Sequence, residues 1–172
     1  SALYYFVDET RPGGGRFQLK RVRLDGTQRE VLATVAGPLP GTRYYPSRLY
    51  PLATIAADGR RLATGCFLGD GHAARAPWGL LVIDLASGAV TVPLAGDTWI
   101  NIHPQYGRAA DAAAGRDLLV QENHGARYDA AGVVSARHIT PRLAALGRGR
   151  REARSDRRTA VHGLRLCPRV LL

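Results

Sequence analysis

The sequence predicts an all-β fold, and three observations predict it. Short apolar runs recur between turn signals: Ala2–Val7, Phe17–Leu24, Tyr50–Phe67 with a break at Asp58-Gly59, Trp78–Leu85 and Asp117–His124. The breaks carry Asp25-Gly26, Asp58-Gly59 and Ser87-Gly88, residue types that tolerate the positive φ of tight hairpins. No amphipathic helical periodicity precedes residue 140.

Taken in order, Ala2-Leu-Tyr-Tyr-Phe-Val7 is aromatic and β-branched, a buried strand by composition. Residues 8–16 contain Pro12-Gly-Gly-Gly15 and read as a flexible turn. Phe17–Leu24 partly alternates apolar with basic residues, which puts one face in a core and the other in water. Asp25-Gly26 turns the chain, and Thr27–Val35 returns as a strand. Gly37-Pro-Leu-Pro-Gly41 is a linker. Tyr50–Phe67 is strand, turn, strand; Gly69–Pro77 is a polar loop; Trp78–Leu94 is a second hairpin. Two further strands follow between Trp99 and Gly125, separated by an alanine-rich loop.

These elements repeat. Phe17 to Gly37 lines up with Trp78 to Gly96, and Tyr50-Pro51…Asp58-Gly-Arg-Arg-Leu-Ala with His103-Pro104…Gly115-Arg-Asp-Leu-Leu. Such repeats bury their core between neighbouring units. Four short antiparallel strands per unit imply an incomplete β-propeller of about two blades over residues 1–135. A propeller closes with roughly four to eight blades, so the chain is expected to be a slice of a longer protein or to pair its edges with the remaining blades. The sequence lacks Met, which likewise reads as a fragment or processed piece.

Residues 136–172 have a different texture. They hold 10 Arg against 2 acids and no aromatic residue, while residues 1–135 hold 14 Lys/Arg against 12 acids and all twelve aromatics. Three readings fit this irregular, Arg-rich tail: a basic arm for an acidic surface, a solvated disordered tail, or a frameshifted end of a GC-rich gene. The missing aromatics argue against nucleic acid, whose bases stack on such side chains. There is no run of 18 apolar residues, so no membrane-spanning helix is expected. Cys66 sits in an apolar strand and reads as a small core residue.

Candidate ligand groups concentrate between residues 99 and 125. Asn101, His103 and Gln105 alternate and so share one face; Gln121 and Asn123 share a face of the next strand, and His124 begins the following turn. If the strands pair, these groups converge at one end of a sheet. Neutral imidazole and amide oxygen can hold a divalent ion such as Mn²⁺, for which His103, Gln105 and His124 are the candidates. The same groups can bind sugar hydroxyls or satisfy backbone groups at strand ends. Arg43 and Arg48, with Tyr44 and Tyr45, could stack on a sugar and pair its carboxylate, or pack between blades. Gly69-Asp-Gly71 lacks the Lys-Ser/Thr of a phosphate loop, and no Ser stands in a Gly-x-Ser-x-Gly elbow. No catalytic residue is assigned.

Two stretches carry a resemblance. Tyr50-Pro…Ala57-Asp-Gly-Arg-Arg-Leu-Ala resembles the blade signature of TolB-like propellers, with Ala57 in place of the usual Pro. His103-Pro-Gln-Tyr106…Val120-Gln-Glu-Asn-His-Gly125 is similar to bacterial propellers related to oligogalacturonate lyase. That second resemblance implies a seven-bladed parent with Mn²⁺ held by His and Gln side chains. It implies metal-assisted β-elimination of uronate oligosaccharides, with further ligands and the base in other blades. The expected partner is an acidic oligosaccharide. The alternative is a non-catalytic TolB-like propeller that binds a protein or glycan.

Overall fold

The computed structural model describes residues 1–11, 13–68, 77–108, 117–124, 127–128, 134–135 and 138–145. Twelve strands follow one another, and the described residues contain no helix: β1 (Ala2–Arg11), β2 (Gly14–Arg23), β3 (Glu30–Val35), β4 (Arg48–Ile55), β5 (Arg61–Phe67), β6 (Trp78–Asp84), β7 (Val90–Gly96), β8 (Gln105–Tyr106), β9 (Asp117–His124), β10 (Arg127–Tyr128), β11 (Val134–Ser135) and β12 (His138–Ala145). All pairings are antiparallel. The sheets run β1-β2-β3, then β4-β5-β6-β7, then β12-β9-β8, with β10-β11 as a separate ribbon. The chain is an open, incomplete propeller-like succession of sheets.

The sheet composition refines the expectation of about two four-stranded units. Among the described residues, only the middle sheet has four strands; its neighbours have three each. The sequence repeat explains the difference. It equates β2–β3 with β6–β7 and β4–β5 with β8–β9. The first sheet therefore holds the second, third and fourth strand positions, and the last sheet the first three.

The middle sheet is buried on both faces. One core, between the first and middle sheets, gathers Phe17, Leu19, Leu62, Cys66, Leu81 and Ile83. A second, between the middle and last sheets, gathers Ala63, Leu80, Val82, Ile102, Tyr106 and Leu118. Along β6, Leu81 and Ile83 enter the first core and Leu80 and Val82 the second, as a two-residue side-chain period requires. This two-sided burial accounts for the uninterrupted apolar run Gly79-Leu-Leu-Val-Ile83. The next strand, β7, is an edge, alternates buried or half-buried with exposed residues and tolerates an exposed Pro93.

Each turn closes with the chemistry its residues supply. Asp25 Oδ1 accepts from the Thr27 backbone N–H at 2.9 Å and Asp58 Oδ1 from that of Arg60 at 2.9 Å. Asp84 Oδ1 accepts from Ala86 and Ser87 backbone N–H groups at 3.1 and 2.8 Å. These bonds, that to Ser87 foremost, hold the Asp84 carboxyl below its ordinary range. Gly88 has φ +72°, and a Cβ there would lie 2.2 Å from the Leu32 carbonyl oxygen. This turn therefore rests directly on β3 of the neighbouring sheet.

Two segments differ from expectation. Residues 8–16 are not a flexible turn: the β1–β2 ladder runs on through Arg11 opposite Gly14, with Glu9 and Arg16 ion-paired across it. The tail begins with structure rather than irregular chain, because His138–Ala145 is β12, paired with β9 from His124 to Asp117. Arg142 Nε donates to Glu122 Oε2 at 2.6 Å across that pairing. A partner on β9 gives these residues strand geometry that their composition alone does not signal. Gly69–Gly71 and the tail after residue 145 lie outside the described residues.

Candidate functional site

His124 closes β9 and Arg48 opens β4. Gln105, in β8 opposite Leu119, pairs five residues short of His124, and the N–H of its neighbour Tyr106 donates to Thr54 Oγ1 near the Asp58 turn, so Gln105 and His124 are not gathered at one rim. Asn101 and His103 lie in the connection leading into β8, and Arg43 lies in the connection into β4. The turns at Asp25, Asp58 and Ser87 occupy the opposite rim.

Burial alternates along residues 101–106, but only Gln105 and Tyr106 of them are strand. Ile102, Pro104 and Tyr106 are buried, while His103 and Gln105 are exposed and Asn101 is half-buried. Asn101 takes a left-handed backbone, φ +52°, a conformation Asn adopts more readily than most residues. His103 Nε2 donates to Asn101 Oδ1 at 3.1 Å. The His103 ring meets the Tyr50 ring at 6.1 Å, and Tyr50 meets Trp78 edge-on at 6.0 Å. Phe67 continues the row, 5.4 Å from Trp78, and pairs across the strand with Arg48. The rim thus carries an aromatic row ended by an exposed imidazole and an exposed guanidinium.

Sequence reasoning missed Tyr50, Phe67 and Trp78 as parts of this site. The available signal was the repeat, which equates Tyr50 with His103.

Asn123 has an architectural task. It is buried; its backbone N–H donates to the Thr98 carbonyl at 2.7 Å, and its side-chain Nδ2 donates to the Ile100 carbonyl. Gln121 Nε2 donates to Asn123 Oδ1 at 2.9 Å. These bonds tie the end of β9 to the segment carrying Asn101 and His103, so for Asn123 the reading as a satisfier of backbone groups holds.

Glu122, not singled out from the sequence, anchors a second group. Its side chain is 12% exposed and holds Arg142 at 2.6 Å and His124 Nε2 at 3.5 Å, and Thr98 Oγ1 donates to it at 3.0 Å. Arg43 and Arg48 are exposed. The Arg43 guanidinium lies 5.8 Å from the centre of the Tyr44 ring, and Tyr44 packs against the first core. Packing between sheets therefore accounts for Tyr44 and leaves the two arginines at the surface. Among the described residues, no group of three or more His, Cys, Asp or Glu side chains is placed to hold a metal ion.

No family model and no curated protein matches the chain. Among solved structures, an oligogalacturonate lyase in complex with manganese aligns at a TM-score of 0.49 and 20% identity, over 83% of this chain and 34% of that one. An oligogalacturonate lyase from Vibrio parahaemolyticus aligns at 0.43 and 16% identity, over 70% of this chain and 36% of that one. The chain spans little more than a third of either.

Proposed function

We propose that this rim binds an acidic oligosaccharide, as one part of a carbohydrate-directed propeller resembling oligogalacturonate lyase. The observation that carries the reading is the exposed His103, bonded to Asn101 and tilted against Tyr50 at the end of an aromatic row. Aromatic and imidazole faces suit the C–H faces of a sugar ring, and amide and imidazole groups suit its hydroxyls. Arg43 and Arg48 supply the cations a uronate carboxylate needs.

Imidazole and amide-oxygen donors of the kind at His103, Gln105 and His124 can ligate a divalent ion such as Mn²⁺. As they stand, His103 is bonded to Asn101, His124 lies beside Glu122, and Gln105 lies opposite Leu119, five residues from His124, so an ion at either histidine would have to compete with these partners and Gln105 and His124 would not share one. Bound at either histidine, it would neutralise the uronate carboxylate and acidify the adjacent carbon for β-elimination. On this reading the 172-residue chain binds but does not turn over, and turnover needs further sheets.

Calorimetry with trigalacturonate, with and without Mn²⁺, tests this. Saturable binding that is lost in Tyr50→Ala and in His103→Ala is expected. Binding that survives both substitutions would overturn it. A longer parent protein should raise ultraviolet absorbance from unsaturated uronate, dependent on Mn²⁺.

A second reading is favoured by the mutual bonding of Gln121 with Asn123 and of Asn101 with His103. Amides committed to one another suit a non-catalytic TolB-like propeller that binds a protein or glycan. Glycan binding without metal dependence, and without turnover by the parent, would select it.

A further inference from the structure

Among the described residues, Glu122 is the one buried carboxylate. Three side chains meet it. Thr98 Oγ1 donates to Oε1 at 3.0 Å, Arg142 Nε donates to Oε2 at 2.6 Å, and His124 Nε2 lies 3.5 Å from that same Oε2. Glu122 and His124 are two apart on β9 and so share a face; Arg142 reaches them from β12, where it stands opposite Val120. One carboxylate oxygen thus holds a guanidinium and an imidazole side by side. Asn123, between Glu122 and His124, bonds the Ile100 carbonyl, which ties the strand end carrying this cluster to the segment carrying Asn101 and His103.

Arg142 commits only Nε to this pair. A guanidinium carries five N–H groups in a fixed fork, and among the described residues the two Nη groups of Arg142 have no partner. Its side chain stays 37% exposed while that of Glu122 is 12% exposed, so the fork is fixed from within and open at its end. The Glu122 charge is enclosed and already met by its three neighbours. Arg43 and Arg48 differ: both are exposed, and Arg43 leans only on the Tyr44 ring. A cation held in place before a ligand arrives loses less freedom on binding, and arginine grips a carboxylate through two parallel N–H···O bonds. We infer that Arg142 is a specificity-determining residue of the proposed site: its Nη end takes a uronate carboxylate while Glu122 fixes the guanidinium. The inference rests on the reading of the rim as a site for an acidic oligosaccharide, and adds which group reads the acid. A neutral ester of the same sugar offers no anion to the fork, so Arg142 separates acid from ester.

Calorimetry on the full chain, comparing trigalacturonate with its methyl ester, tests this. The wild type should bind the acid about tenfold more tightly than the ester. Arg142→Gln should bring the two to equal affinity. Arg142→Lys keeps a charge beside Glu122 but not the fork and should retain only part of the preference. This second variant keeps the test readable if Arg142→Gln releases β12, which amide hydrogen exchange across Asp117–His124 would report. Three results would overturn the inference: an acid preference unchanged in both variants, an equal loss of acid and ester binding in Arg142→Lys, or a wild type that binds acid and ester alike. The second would make Arg142 a tie between strands and nothing more. Trigalacturonate binding that is lost in Tyr50→Ala and His103→Ala but kept in both Arg142 variants leaves the rim reading standing and removes this inference. A wild type that binds neither ligand overturns both.

Discussion

The rings of Tyr50 and His103 meet at 6.1 Å with an angle of 43° between their planes, and they hold equivalent places in the sequence repeat. Two copies of one position, Tyr50 in β4 and His103 in the connection into β8, therefore come into contact. The contact makes an exposed histidine part of an aromatic row that runs through Trp78 to Phe67. Replacing Tyr50 with Ala removes two ring contacts, each worth about 0.5–1.5 kcal/mol beyond buried area. The expected result is a loss of ~2 kcal/mol in urea unfolding and a changed near-ultraviolet circular dichroism signal from Trp78. His103→Ala should lower stability by less than ~1 kcal/mol, because its ring is exposed.

Gly88 and Gly59 both occupy hairpin turns on the opposite rim, with φ of +72° and +69°, but only Gly88 is packed against another sheet. Gly59→Ala meets open space and should cost about 1–2 kcal/mol for the left-handed backbone alone. Gly88→Ala adds a collision with the Leu32 carbonyl and should cost about 3 kcal/mol or more. Equal losses in denaturant unfolding would show that the β6–β7 turn does not bear on β3.

Leu80 and Ile83 project from opposite faces of β6 into the two cores. Each change to Ala should cost about 2–5 kcal/mol. Hydrogen exchange separates them: Leu80→Ala should speed exchange in β9 more than in β2, and Ile83→Ala the reverse. A common response in both strands would contradict a middle sheet buried on two sides.

Cys66 is fully buried, and burial pushes its thiol from an ordinary value of 9.0 up to about 12. The fold therefore favours the protonated form. Below pH 9 this thiol is protonated in both states and adds no pH dependence. Between pH 9 and about 12 it ionises in the unfolded chain only, so stability falls as pH rises. Unfolding free energy should decline through that window in the wild type and decline less in Cys66→Ala. Iodoacetamide labelling of the Cys66 peptide, followed by mass spectrometry, should track global unfolding; rapid labelling of the native chain would contradict the burial.

Much of the architecture was readable before any coordinates. The turn signals at Asp25-Gly26, Asp58-Gly59 and Ser87-Gly88 all became hairpins, since Asp and Gly encode such turns locally. The continuous apolar run of β6 was readable as strand, but not as a strand sandwiched between two others, because periodicity reports only how many faces are buried. Residues 8–11 and 14–16 escaped recognition: Pro and Gly mark a turn but not how far a ladder runs on either side of it.

By itself, the sequence determined that the chain is all-β, where it turns, and which side chains share a strand face. These depend on local backbone preference and on a two-residue period, both written residue by residue. Tertiary structure alone decided that Tyr50, Trp78 and Phe67 extend the site, that Asn123 is a tie rather than a ligand, and that Arg142 of the basic tail belongs to a sheet. Each follows from contacts between residues distant in the chain, such as Arg142 with Glu122 and Asn123 with Ile100, which only the packing of one sheet on the next brings within reach.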